Sequence, residues 1–466
     1  MIKDLDNKKE IDEPQVMVND LVKKAHIALD RLSVMDQEQI DKIVHAMAEA
    51  GYHARQKLAK MAVDETGRGV YEHKVIKNQF ATKDIYNSIK NDRTVGIISD
   101  DKETGIMKVA EPVGVIASAT PVTNPSSTAF HNALLAIKTR NPIIFAFHPF
   151  AQKTCVETGR VMAEAAVKAG APENCVQWIT KPSMAATTDL MNHDGVATVV
   201  ATGGAGMVKS AYSTGKPALG VGPGNVPVYV EKSADLKQTI DDIVLSKTFD
   251  NGMICASESN MVVDAEVYDE VKKGLKDQGA YFVKDADMEN FESTVMNREK
   301  ESVNPKVAGQ SAYSIATWAG IEDCPEDAKF LVAEMDGLGG EYILSHEKLS
   351  PVLTMVKAKD QDDAVHLMKR GLNLGGLGHT VGLHTKDDDL INRFALEMDA
   401  CRILINTPTS QGAIGYKYNN VTPSLTLGCG SWGKNSLSHN LEDWDLLNIK
   451  TVAKRLPKLR HESLDF

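Results

Sequence analysis

The chain has 466 residues, 42% of them hydrophobic and 25% charged, with 52 basic against 63 acidic side chains and a net charge of −11. That length exceeds what one hydrophobic core supports, so two or three lobes are expected, and the acidic balance disfavours a general affinity for nucleic acid or anionic membrane, leaving small molecules as partners. No uncharged apolar run approaches the roughly 18 residues of a membrane span, and the start, MIKDLDNKKEIDEP, lacks the apolar segment of a signal peptide, so a cytoplasmic protein is expected.

Residues 16–62 are dense in Ala, Val, Leu, Met and charged residues and read as two amphipathic helices meeting near RLSVMDQEQ. VGIISDDKETGIMKVAEPVGVIASATP holds two β-prone runs around the turn DDKETG, a hairpin at about 95–110 leading into a strand at 113–119. Strands and helices then alternate: NPIIFAFHP is a strand, QKTCVETGRVMAEAAVKAG a helix stopped by Gly170 and Pro172, VATVVATGG a strand and AGMVKSAYS a helix. Such alternation implies a parallel sheet with helices on both faces. After Cys255 the pattern repeats through NMVVD, AEVYDEVKKGLKDQG and AYFV, then PVLTMVKA, DDAVHLMKRGLN, HTVGLHT and CRILINTP, which makes a second α/β lobe.

Open parallel sheets bind ligands at the carboxyl ends of their strands. VVATGGAGMVKS places Thr202, Gly203, Gly204 and Gly206 at such an end, where glycines admit close approach and free N–H groups favour anionic oxygens; glycines serving only a tight turn are the alternative. A literal GxGxxG at Gly428, Gly430 and Gly433 has no strand before it and no helix after it, and is not a dinucleotide fingerprint. LGVGPGN, residues 219–225, leads into PVYV and is too rigid at Pro223 for a simple linker. The six cysteines, Cys155, Cys175, Cys255, Cys324, Cys401 and Cys429, form no CxxC pair, and no histidines cluster at metal spacing, so no metal site or disulfide framework is expected. Cys255, in FDNGMICASES, is either a lone reactive thiol or one more small core residue.

ATPVTNPSST, ATGGAGMVKSAY, GVGPGNVPV, SKTFDNGMICASE, HEKLSP, GGLGHT and LINTPTSQGAIG occur in the order found in acylating, CoA-dependent aldehyde dehydrogenases. From about residue 15 to about 455 the chain resembles the aldehyde dehydrogenase half of bifunctional aldehyde-alcohol dehydrogenases. The resemblance implies an α/β, aldehyde dehydrogenase-like fold with two α/β lobes, cofactor-binding and catalytic, plus a small bridging β element used in dimerisation. An NAD-binding lobe over 1–253 would include the bridging hairpin near 95–110. The catalytic lobe would cover 254–428, with 429–466 returning to the cofactor lobe and the bridging element, whose last part would lie near 440–451. A homodimer or higher homo-oligomer follows.

The resemblance also assigns residues. Cys255 would attack the aldehyde carbonyl, giving a hemithioacetal that passes a hydride to NAD and leaves a thioester. Asn124 and the Cys255 backbone N–H would hold the oxyanion, unless Asn124 merely caps its own turn. Thr202, Gly203 and Gly204 would underlie the cofactor pyrophosphate, joined by Gly222 and His148 as cofactor contacts, and Glu347 would hold the nicotinamide ribose, unless it is a surface ion-pair partner. His379 would assist CoA thiol exchange or be a satisfied structural histidine. The stretch matching LGVGPGN carries a water-activating glutamate in hydrolytic aldehyde dehydrogenases; none is present here, and Glu231 lies beyond the following strand, so CoA rather than water is the expected acyl acceptor, with acetyl-CoA and acetaldehyde the substrates the family suggests. Relatives commonly read HPRA where this chain has HPFA, so Phe150 removes a cation near the expected adenosine end. The bifunctional relatives continue into an iron-dependent alcohol dehydrogenase half whereas this sequence ends at RLPKLRHESLDF, so aldehyde and not alcohol is the expected product. Two rival readings are a hydrolytic enzyme rescued by a folded-in carboxylate such as Glu258, and a non-catalytic assembly subunit.

Overall fold

The computed structural model describes residues 13–456; the start MIKDLDNKKEID and the end PKLRHESLDF, read above for export and for a following domain, lie outside them. The two opening helices run Glu13–Leu32 and Gln37–Thr66. Asp36 fixes the turn between them: its carboxylate accepts from the Gln39 N–H at 2.9 Å while the Gln39 side chain accepts from the Asp36 N–H at 3.0 Å. This reciprocal cap satisfies donors that the first helical turn would otherwise leave unpaired. Among the described residues no helix is long and apolar enough to cross a membrane.

Five parallel strands form the first sheet, in the spatial order Val176–Trp178, Ile143–Ala146, Ile116–Ala119, Thr198–Thr202, Ala218–Val221. The chain builds outward from Ile116–Ala119 in one direction, then returns to its other side with Thr198–Thr202. The order therefore reverses between these two strands, and a ligand crevice opens at such a switch point, beyond their carboxyl ends. Asn124 follows one of them and Gly203 the other. Helix Pro125–Lys138, buried along its whole length, crosses from the first of these ends back over the sheet.

Seven parallel strands form the second sheet, in the order Ala280–Phe282, Phe330–Met335, Val352–Ala358, Glu258–Asp264, Val226–Val230, Gly378–His384, Ala400–Ile405. The lobe boundary expected at 253 lies earlier. Val226–Val230 pairs with Glu258–Asp264 and Gly378–His384, and the helix Leu236–Thr248 contributes Ile240, Ile243 and Val244 to the core of this second sheet. PVYV is buried on both faces, so its residue pattern carries no mark of which sheet it joins. The return is also earlier than 429, since Ala413, Ile414 and Leu427 already belong to the core of the first lobe.

Gly96–Asp101 and Ile106–Pro112 form the antiparallel hairpin read from the sequence, and Leu447–Ala453 adds to the other edge of Ile106–Pro112. Ile97, Ile449 and Val452 are exposed on this small sheet. A further helix without counterpart in the sequence reading, Tyr71–Gln79, continues through a π-helical turn, Phe80–Asp84, into Ile85–Ile89. It buries Lys74, Lys77 and Asn78, three polar residues on one side, which a helix does only where something charged receives them.

Candidate active site

The nucleophile candidate follows an unusual backbone. Asp250, Asn251 and Gly252 are consecutively left-handed, with φ of +53°, +54° and +71°. For residues other than glycine this conformation costs on the order of 1–3 kcal/mol each and persists only where the surroundings hold it. Here Asp250 is the anchor. One carboxylate oxygen accepts from the Val70 N–H at 2.8 Å; the other accepts from Lys74 Nζ at 2.8 Å and from Lys77 Nζ at 2.5 Å. The Asp250 N–H donates to His73 Nδ1 at 2.9 Å, and Asn251 Nδ2 donates to the Gly309 carbonyl at 3.0 Å. Burial opposes ionisation of Asp250, yet the two ammonium charges overcome it and hold the carboxyl below the ordinary carboxylate range. Burial pulls Lys77 down to about 8 against the attraction of Asp250.

Cys255 lies three residues before strand Glu258–Asp264, at its amino end, and is half-buried, whereas Cys155, Cys175, Cys324 and Cys429 are buried. A Cβ on Gly224 would sit 1.6 Å from the Cys255 carbonyl oxygen, so only glycine fits at 224. Burial pushes the Cys255 thiol up to about 12; the negative charge of Glu347 adds to this, while Arg402 and the residue's own backbone N–H act against it. The ligand-free site therefore holds a thiol. Glu347 reaches across from the loop before strand Val352–Ala358 and accepts from the Gly224 N–H at 2.8 Å. Burial raises its carboxyl, and the Gly224 and Asn225 N–H groups counter that rise.

Asn124 precedes the buried helix Pro125–Lys138 but its side chain makes no capping bond. Instead its Oδ1 accepts from Lys77 Nζ at 2.7 Å, and its Nδ2 has a long contact, 3.3 Å, to Thr123 Oγ1. Lys77 also donates to the Met253 carbonyl at 2.8 Å, which ties Asn124 to the segment leading into Cys255. Arg402, buried and without a carboxylate partner among the described residues, donates to Thr380 Oγ1 and Asn440 Oδ1, both at 3.2 Å. His379, next to Thr380, is fully buried with Nδ1 2.9 Å from Thr380 Oγ1 and no partner at Nε2. Burial, aided by the Arg402 charge, holds it well below its ordinary value and hence neutral. Arg402 is a charge that influences both His379 and Cys255.

Four motif glycines, Gly203, Gly204, Gly206 and Gly222, are explained by neither turn geometry nor crowding. Gly203, Gly204, Gly206 and Gly222 are not left-handed, and a Cβ on Gly204, Gly206 or Gly222 would meet nothing within 4 Å. Their faces are open to an approaching group, as a phosphate-bearing ligand needs. Thr202 ends its strand with Oγ1 3.3 Å from Thr426 Oγ1. His148 caps the short turn Pro149–Ala151 by accepting from the Phe150 N–H at 3.2 Å, and Phe150 is 70% exposed. Of the carboxylates weighed as water activators, Glu258 accepts from the Thr409 N–H at 3.1 Å through one oxygen while its Oε2 is buried with no partner among the described residues, and Glu231 accepts from the Ser233 N–H at 2.9 Å and Thr385 Oγ1 at 2.8 Å. Glu231 follows Val230, so it lies a strand's length, about 16 Å, from the end where Cys255 sits. Among the described residues no group of three or more His, Cys, Asp or Glu could hold a metal ion.

Sequence reading had not singled out Lys77, Asp250, Gly224 or Arg402. Two signals were available: DNG directly before MIC, a tripeptide suited to left-handed backbone, and an arginine inside the apolar run CRILI.

Residues 12–418 match the aldehyde dehydrogenase family. The chain belongs to that family. It is 46% identical over 452 residues to aldehyde-alcohol dehydrogenase 2 of Entamoeba histolytica, a match covering 95% of this chain and 52% of that protein. The chain thus spans about half the length of the curated relatives it first matches. Among solved aldehyde dehydrogenases, it resembles an acetylating enzyme from Geobacillus thermoglucosidasius with a TM-score of 0.93 and 46% identity, covering 95% of this chain and 97% of that one. It also resembles propionaldehyde dehydrogenase of Rhodopseudomonas palustris, solved with bound CoA and an acylated cysteine, with a TM-score of 0.82 and 27% identity over 94% and 97% of the two chains.

Because the Glu347 charge disfavours the thiolate, Glu347→Gln should lower the Cys255 pKa and speed its alkylation by iodoacetamide at pH 8 in the ligand-free protein. In the unsubstituted protein the alkylation rate should climb about tenfold per pH unit from 7 to 10 without a plateau, since only the thiolate reacts. Peptide mapping of the alkylated cysteine with rate measurement across that range checks both; a plateau near pH 8, or slower alkylation of the variant, contradicts the electrostatics described.

Proposed function

We propose that the chain is a CoA-acylating aldehyde dehydrogenase, interconverting a short-chain acyl-CoA, such as acetyl-CoA, and NADH with aldehyde, CoA and NAD through a thioester on Cys255. The observation that carries this reading is the segment 222–225: it offers no carboxylate to Cys255, Gly224 cannot carry a side chain there, and Glu231 lies at the far end of strand Val226–Val230. Water therefore lacks an activating base, whereas a CoA thiol is far more nucleophilic and needs none of comparable strength.

In the reductive direction the Cys255 sulfur attacks the acyl-CoA carbonyl carbon, the carbon–sulfur bond to CoA breaks, and the CoA thiol leaves with the proton that Cys255 released. Asn124 Nδ2 and the Cys255 N–H stabilise the oxyanion that forms at each addition to that carbonyl. A nicotinamide dinucleotide held by Thr202, Gly203, Gly204, Gly222 and His148, with its ribose on Glu347, would supply the hydride. Collapse of the resulting hemithioacetal breaks the bond to Cys255 and releases aldehyde. Glu347 binds the Gly224 N–H through one oxygen, and its carboxylate has further lone pairs with which to accept sugar hydroxyls. His379, neutral and with a buried Nε2 that has no partner among the described residues, is the side chain proposed to meet the CoA thiol. The exposed Ile97, Ile449 and Val452 on the small three-stranded sheet suit the interface of a homodimer.

With aldehyde and NAD but no CoA, NADH should appear in one rapid burst, at most equal to the Cys255 concentration, followed by very slow release; CoA should restore steady turnover and give a thioester. Sustained NADH production without CoA, with free acid as product, overturns the reading in favour of the hydrolytic one. The position for installing a base is Gly222, where a side chain meets nothing; Gly220 is closed by Tyr212 and Val208 at about 3 Å. Gly222→Glu should raise the slow CoA-independent phase severalfold, measured as free acid formed after the burst.

A further inference from the structure

Asn124 has two faces, and only one of them is useful. Its Nδ2 can donate to a developing oxyanion, whereas its Oδ1, turned the same way, would repel it. The helix Pro125–Lys138 does not decide between the two, because the Asn124 side chain makes no bond to the helix amides. The discriminating contact is Lys77. Its ammonium has three N–H donors and all three are committed: to Asp250 Oδ2 at 2.5 Å, to the Met253 carbonyl at 2.8 Å and to Asn124 Oδ1 at 2.7 Å. A cation cannot accept a bond, so it selects the oxygen of the carboxamide and leaves Nδ2 facing away from it. The lysine is itself held in place. It is 3% exposed, its helix is locked by Lys74, which shares Asp250 and donates to the Thr123 carbonyl at 2.8 Å, and the π-helical turn beginning at Phe80 follows directly.

We infer that Lys77 is a positioning residue for the reaction: it fixes the orientation of the Asn124 carboxamide and, through Met253, its distance from Cys255, so that Nδ2 and the Cys255 N–H address the same oxygen. The inference rests on the reading of Asn124 as an oxyanion donor. Lys77 need touch neither substrate nor cofactor. Its effect belongs to the transition state and appears in kcat, and it vanishes once Asn124 has no amide to orient.

The test is a double-mutant cycle on the full chain, with acyl-CoA reduction followed as NADH oxidation. Asn124→Ala should lower kcat about 100- to 1,000-fold, and Lys77→Met about 10- to 100-fold, both with NADH binding, measured by fluorescence titration, changed less than about threefold. The double variant should be no slower than Asn124→Ala by more than about threefold. Lys77→Gln, which keeps donors for Asp250 and Asn124 but is free to offer its own oxygen, should fall between wild type and Lys77→Met, and stands in should the methionine variant not fold. An unaffected kcat in Lys77→Met or Lys77→Gln, or losses that multiply in the double variant, overturns the positioning role while leaving Asn124 intact as a donor. An unaffected kcat in Asn124→Ala overturns the oxyanion reading itself, and the inference with it.

Discussion

The Asp250 carboxylate, shared between two buried lysines, is the interaction on which the arrangement of the site depends. It holds three consecutive left-handed residues in place, joins the helix Tyr71–Gln79 to the segment that ends in Cys255, and places Lys77 between Asn124 and Met253. A buried ion pair is weak support for stability, because desolvation consumes most of its attraction. Removing one partner is another matter: two ammonium groups left in the interior without an anion would cost about 3–5 kcal/mol, a large share of what keeps a domain folded. The cluster therefore acts as a constraint on geometry, with two lysines on one carboxylate.

Around this cluster the two sheets present opposite ends to one another. Ligand loops leave the carboxyl ends of the five-stranded sheet, as parallel sheets ordinarily provide, but Cys255, Gly224, Glu347 and His379 all sit at or before the amino ends of the seven-stranded sheet. The chain makes this junction in one stride, from Val221 through Gly222–Asn225 to Val226, and glycine at 224 lets that stride pass against the Cys255 carbonyl. The strand that precedes this junction and the strand that follows it are thus joined without a loop long enough to move them apart. The crowding that forces glycine at 224 leaves no room for a side chain at that position, whereas Gly222 in the same segment is open.

Periodicity and turn residues were sufficient for many of the alternating strands and helices from residue 113 onward and for the hairpin joined later by Leu447–Ala453, but they left out the helix Pro125–Lys138 and the strands Val176–Trp178 and Phe330–Met335. They could not assign Val226–Val230 to a sheet, because a strand buried on both faces looks alike in either. The helix Tyr71–Gln79 escaped for a related reason: Lys74, Lys77 and Asn78 blur its apolar stripe, and the burial of the two lysines makes sense only once Asp250, more than 170 positions away, is beside them, while Asn78 is met by the Arg55 carbonyl and Ser126. The motif residues were legible through resemblance, but their states were not. That Cys255 is a protonated thiol, that Glu347 spans to Gly224, and that His379 is neutral follow from burial and from charges distant in sequence.

On the function proposed above, Cys255 carries the acyl group. Mixing the protein with acetyl-CoA in the absence of NADH, quenching in acid and mapping the peptides by mass spectrometry tests it most directly. The account predicts one acetyl group per chain, on the peptide containing Cys255, discharged as aldehyde when NADH is added and as acetyl-CoA when CoA is added. An acetyl group on a different cysteine that discharges in the same way, or no covalent adduct while acetyl-CoA is being reduced, would contradict it.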